Sequence, residues 1–137
     1  LLILVTALMD TRTDLLYYKN AAARGVDGLA QLEARVAADL DRAITSNQEV
    51  VTDAQFIADL ASRNTPPALV DTSMVRITTG AVTLSQLESL TNQPQVHAVL
   101  FFTGRFGLPE VAAFHTWVAQ RFHLLHNYGE GRELWVR

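Results

Sequence analysis

Apolar positions along this chain change their rhythm from one end to the other. Residues 1–9, Leu-Leu-Ile-Leu-Val-Thr-Ala-Leu-Met, are almost continuously apolar. Leu29, Leu32, Val36, Leu40 and Ile44 then recur at the three- and four-residue spacing of one helix face. Glu33, Arg35, Asp39, Asp41 and Arg42 fall mostly elsewhere on the wheel, which predicts an amphipathic helix over residues 28–45. A shorter helix is expected over residues 13–24, with Asp14 in its first turn and Gly25 after its last.

From Glu49 onward short apolar runs alternate with helical patterns. Val50-Val51-Thr52 reads as a brief strand, and Asp53 as the cap of a helix that buries Phe56, Ile57 and Leu60 and ends near Arg63. Pro66 and Pro67 fix φ and supply no N–H, so they close that helix. Residues 68–70 are expected as a buried central strand whose exposed C-terminal end is Asp71-Thr72-Ser73. Residues 75–79 add an extended piece before Gly80. Thr83-Leu84-Ser85-Gln86 has the form of a capping box and opens a helix to Asn92. Residues 96–102 form the strongest strand, apolar at nearly every position, as a strand covered on both faces should be. Pro109 and Glu110 suit the start of a helix through Arg121 that buries Val111, Phe114, Trp117 and Val118. Residues 123–128 and 132–136, joined by Gly129-Glu130-Gly131, carry a hairpin signal.

This order implies a small three-layer α/β domain with parallel central strands, right-handed crossover helices and a C-terminal antiparallel hairpin. The expected organisation is an N-terminal apolar and helical segment, residues 1–27, followed by a single α/β domain, residues 28–137. Composition agrees: 49% apolar and 18% charged residues in 137 suit one folded domain. A net charge of −3 with no basic face argues against nucleic acid as a partner. Without cysteine there is neither a disulfide nor a thiolate metal site.

The first nine residues are too few to cross a bilayer, which takes roughly 20 in a helix. They read either as an element packed on the core or as the cut end of a membrane helix, with Tyr17, Tyr18 and Lys19 as interfacial anchors. A further reading has this segment pack on a second copy as a homodimer contact. The chain opens on Leu1 rather than Met, as a fragment or processed product does.

Ligands of open α/β sheets bind beyond the carboxyl ends of strands. Three such ends carry polar groups here: Thr52-Asp53, Asp71-Thr72-Ser73 and Thr103-Gly104-Arg105. Parallel strands would bring them to one edge, where Asp53 and Asp71 can hold a cation or activate a hydroxyl while Arg76 and Arg105 meet an anion. The same residues also have a plainer use as caps and turns. Gly104-Arg105-Phe106-Gly107 lacks the spacing of a phosphate-binding loop. His123 and His126 lie three apart in a strand and point to opposite faces, so no metal site is assigned, and no catalytic residue either.

Several phrases resemble a known family. Val51-Thr52-Asp53, Pro66-Pro67 with Leu69-Val70-Asp71-Thr72-Ser73, Arg76-Ile77 and Gly80, Phe102-Thr103-Gly104-Arg105-Phe106 with Leu108-Pro109, and the closing Tyr128 to Arg137 stretch are similar to the C-terminal soluble region of bacterial membrane glycosyltransferases. The type is the dolichyl-phosphate-mannose protein mannosyltransferase, family 39, and the likeness covers residues 49–137. The resemblance implies a polytopic parent that moves a sugar from a polyprenyl-phosphate donor to an acceptor on the extracytoplasmic side. Its catalytic base, an acidic residue, belongs to the first outward loop, outside this stretch, so this domain would be accessory and extracytoplasmic, without a cofactor of its own. Its partners would be the membrane-embedded remainder of the parent and a sugar acceptor. The main alternative is a stand-alone domain that binds a small phosphate or sugar at the strand ends.

Overall fold

The computed structural model describes residues 27–137. The expectations for residues 1–26, including the apolar start and the helix over 13–24, lie outside the described residues. The chain divides into two compact units, Leu1–Arg35 and Val36–Arg137. The described part of the first is the opening of helix α1, Asp27–Ala43. Everything below concerns the second.

Secondary structure in this unit follows the order β1 Glu49–Thr52, α2 Gln55–Leu60, α3 Met74–Thr78, α4 Leu84–Thr91, β2 Val96–Phe101, α5 Ala113–Ala119, β3 His123–Gly129 and β4 Arg132–Val136. Short 3₁₀ turns lie at Pro67–Leu69 and Arg105–Gly107. The four strands form one mixed sheet in the order β1-β2-β4-β3. The β1 and β2 strands run parallel, while β4 is antiparallel to both β2 and β3. The expected α/β class, with parallel strands and a closing hairpin, is therefore present, although only one strand pair is parallel.

Strand β2 organises the rest. Ala98 and Leu100 face one side and Val99 and Phe101 the other, and all four are almost wholly buried, so both faces of the strand are covered. On the side of Val99, the core gathers Leu69, Ile77, Val82, Leu87, Phe106, Phe114 and Val118 from the loops and α3 to α5. Phe106 and Phe114 meet edge-on at 5.4 Å, and Phe101 lies 5.9 and 5.8 Å from the two. Such contacts suit rings whose positive edges seek negative faces. Leu40, Ile44, Val50, Ile57 and Leu134 are buried outside that cluster.

The local signals for α4 and the hairpin hold. Thr83 caps α4 by accepting the Gln86 N–H at 3.2 Å. Glu130 and Gly131 both have positive φ, 54° and 76°, as a two-residue type I′ turn requires. Strand β3 is a sheet edge interrupted by register shifts near Leu125 and Tyr128, which spoils its outer face as a template for another strand.

Other expectations need correction. Residues 68–70 are not a central strand but a 3₁₀ turn followed by Val70 in a right-handed helical conformation. Only Leu69 of the three is buried, and Val70 is 52% exposed. The prolines explain this outcome: Pro67 has a helical φ built in and no N–H for a sheet ladder. Asp71-Thr72-Ser73 consequently leads into a helix instead of ending a strand, and residues 74–78 are helical where an extended piece was expected. In α2, Ile57 is buried as expected, but Phe56 and Leu60 are 44% and 63% exposed. The last helix begins four residues late, because residues 109–112 form turns before Ala113.

Candidate functional site

Despite the lost strand, the structure brings all three polar segments to one edge. Thr52 and Thr72 are joined there by a bond from the Thr72 hydroxyl to the Thr52 carbonyl, 3.2 Å, and both side chains are buried. The Thr52 hydroxyl is itself an acceptor for the Ala54 N–H at 2.9 Å.

Asp53 does not cap α2. The cap position belongs to Ala54, with no side-chain bond. Asp53 instead reaches across to the end of β2 and is 1% exposed. Its Oδ1 accepts the N–H groups of Phe102 at 2.8 Å and Thr103 at 3.1 Å, and its Oδ2 accepts that of Phe106 at 3.4 Å. The Thr103 hydroxyl returns the link by donating to the Asp53 carbonyl at 3.2 Å. A carboxylate buried this way is tolerated because three donors replace its water. Gly104, at φ 84°, lets the chain turn sharply enough to aim Phe106 back at it, and the Arg105 N–H bonds the Thr103 hydroxyl at 3.3 Å.

The outer part of the edge is chemically different. Asp71 is exposed, and its Oδ1 accepts the Ser73 N–H at 2.9 Å while its carbonyl accepts Arg76 Nη1 at 2.9 Å. The Ser73 backbone N–H first, then the Ser73 hydroxyl and the charges of Arg76 and Arg105, hold the Asp71 carboxyl below its usual range. Arg105 is exposed, and among the described residues its guanidinium has no hydrogen-bond acceptor. The charges of Arg76 and Arg105 both act on the Asp71 carboxylate without a direct ion pair to it, and the three groups together leave one positive charge for an anion in solution. Of the eight residues singled out in the sequence, Asp53, Thr72, Thr103 and Gly104 serve the fold, while Asp71, Ser73, Arg76 and Arg105 face outward.

Two polar clusters escaped the sequence reading. Asp39, buried on α1, pairs with Arg42, accepts the Tyr128 hydroxyl at 2.8 Å and lies 4.0 Å from His126 Nε2. Burial works to raise its carboxyl, but the Tyr128 hydroxyl, Arg42 and His126 outweigh that and hold it below its ordinary value. The available signal was its place three residues after Val36, beside the apolar stripe. On the other side, Glu133 Oε2 accepts the Trp135 indole N–H at 2.8 Å and meets His115 Nε2 at 2.7 Å, tying α5 to β4.

Among the described residues no three His, Asp or Glu side chains gather closely enough to hold a metal ion, and no helix is long and apolar enough to cross a membrane. Set against family models, curated proteins and solved structures, the chain matches none of them.

Proposed function

We propose that this chain is the non-catalytic, extracytoplasmic C-terminal domain of a polytopic membrane glycosyltransferase, whose parent moves a sugar from a polyprenyl-phosphate donor to an acceptor. The observation that supports this reading is the employment of Asp53. It is the best placed acid of the strand-end edge, yet its oxygens are committed to three backbone N–H groups, which leaves it unfit to take a proton from an acceptor hydroxyl. The phrases that carry the family resemblance do similar structural work elsewhere. Arg137 donates to the carbonyls of Val96, Thr91 and Gln93 at 2.8 to 3.3 Å, and Arg132 stacks over Phe102 at 5.1 Å. A resemblance carried by fold-holding residues fits an accessory domain. In this reading Arg76 and Arg105 offer the recognition surface, toward a sugar acceptor or the donor's phosphate, and the membrane-embedded remainder of the parent supplies the chemistry.

Incubating the isolated chain with a polyprenyl-phosphate sugar and candidate acceptors tests the proposal. No transfer is expected; transfer by this chain alone contradicts it. The alternative, a stand-alone domain for a small phosphate or sugar, draws on the uncommitted guanidinium of Arg105. Calorimetry with nucleotides and sugar phosphates separates the two. Heat that disappears in Arg105→Ala favours the stand-alone domain, and no heat from any of them counts against it.

A further inference from the structure

The segment that leads into α3 turns apolar side chains outward. Val70, Met74 and Val75 are 52%, 57% and 68% exposed, while Ile77 of the same helix is buried and fixes it on the core. Large apolar side chains exposed so close together in the chain need a reason, because water disfavours each of them. The two threonines that follow extend this character. Thr78 Oγ1 donates back to the Met74 carbonyl at 2.9 Å, and Thr79 Oγ1 to the Val75 carbonyl at 2.6 Å. Both hydroxyl donors are thereby satisfied within the helix, without water.

Charge sets the kind of partner. Arg76 donates to the Asp71 carbonyl at 2.9 Å, which holds its guanidinium beside the residue that follows Val70. Arg105, exposed on the loop after β2, has no hydrogen-bond acceptor for its guanidinium among the described residues. The exposed acid of this edge, Asp71, is engaged by the Ser73 N–H at 2.9 Å, so the face keeps a positive balance. A free phosphate would use the arginines but give Met74 and Val75 nothing to bury against. Apolar side chains with guanidinium groups at their margin match an anionic bilayer, which offers hydrocarbon below and phosphate oxygens at the rim.

We infer that this face docks on the surface of an anionic lipid bilayer, with Val70, Met74 and Val75 among the upper methylenes and Arg76 and Arg105 on lipid phosphates. The inference shares its two arginines with the recognition surface proposed above but involves no transfer step, so vesicle binding and sugar transfer succeed or fail independently.

The 137-residue chain contains no cysteine, so Val75→Cys accepts a single environment-sensitive nitrobenzoxadiazole label. His123→Cys carries the same label on the far edge strand, at the opposite end of the sheet, as the control. Vesicles of phosphatidylcholine and phosphatidylglycerol in equal parts should shift the emission of the Val75→Cys label to the blue and leave the His123→Cys label unchanged. Vesicles of phosphatidylcholine alone should bind more weakly. Arg105→Ala, at an exposed position where folding is not at issue, should weaken binding about fivefold, the usual effect of one arginine at an anionic surface. Met74→Ser should weaken it by about tenfold or more, through the methylene groups withdrawn from lipid. No blue shift of the Val75→Cys label, an equal shift of the His123→Cys label, or binding unchanged by both substitutions overturns the inference. So does a blue shift of the Val75→Cys label that grows with protein concentration in the absence of vesicles, which would assign the face to a second copy of the chain.

Discussion

The N–H of Phe102 donates to the carboxylate of Asp53 at 2.8 Å, across 49 residues of chain. That bond, with its neighbours to Thr103 and Phe106, fastens the end of β1 to the loop after β2 and sets the floor on which Arg105 is displayed.

Replacing Asp53 by Asn should therefore cost stability more than function. The amide keeps one acceptor but turns donors toward backbone donors and leaves buried N–H groups unmatched. Roughly 3 kcal/mol is expected, read as a lower midpoint in urea unfolding with little change in slope. A variant as stable as the parent sequence would remove Asp53 from its structural role.

Asp39 predicts a pH dependence. Its carboxyl titrates lower in the fold than its ordinary value of 3.8, so its contribution is complete above that value and fades as pH falls through the lower folded one. The stability gap between the natural chain and Asp39→Asn should hold from pH 7 to pH 5 and narrow below about pH 4. Chemical unfolding at pH 7, 5 and 3 measures it, and a gap that widens in acid contradicts the sign.

Val99→Asp places a charge in the fully buried middle of β2. With no partner on that face, where Leu87, Phe106 and Phe114 surround the core, the domain should unfold, a loss of roughly 4 kcal/mol or more. Circular dichroism at 25 °C checks this, and a melting temperature unchanged from the natural chain would refute the central position of β2.

Arg76→Ala and Arg105→Ala should behave in the opposite way. Both guanidinium groups sit on the outer part of the edge, so stability should shift by no more than about 0.5 kcal/mol for Arg105. In the glycosyltransferase proposed as the parent, the change should read out as weaker use of substrate, an effect that grows smaller as salt screens the site.

Much of the architecture was legible because its signals are local. The apolar run of β2, the Thr83 cap and the Gly129-Glu130-Gly131 turn each specify their own conformation within a few residues. Residues 68–70 misled because three apolar residues after two prolines suit either a strand or a helical turn, and tertiary packing buried only Leu69. The sequence offers Asp53 as a helix cap or a ligand-binding acid, and its structural role stays hidden because its partners stand about 50 residues further on. The cluster of Asp39, Tyr128 and His126 depends on the register of β3 against α1, which no local pattern encodes.

The central claim, that this is the accessory end of a membrane glycosyltransferase, is tested most directly by reading the coding sequence immediately upstream of Leu1. The account predicts a series of apolar segments of about 20 residues, each able to span a bilayer, with an acidic residue in the first outward loop. A start codon or a soluble domain at that place would contradict it.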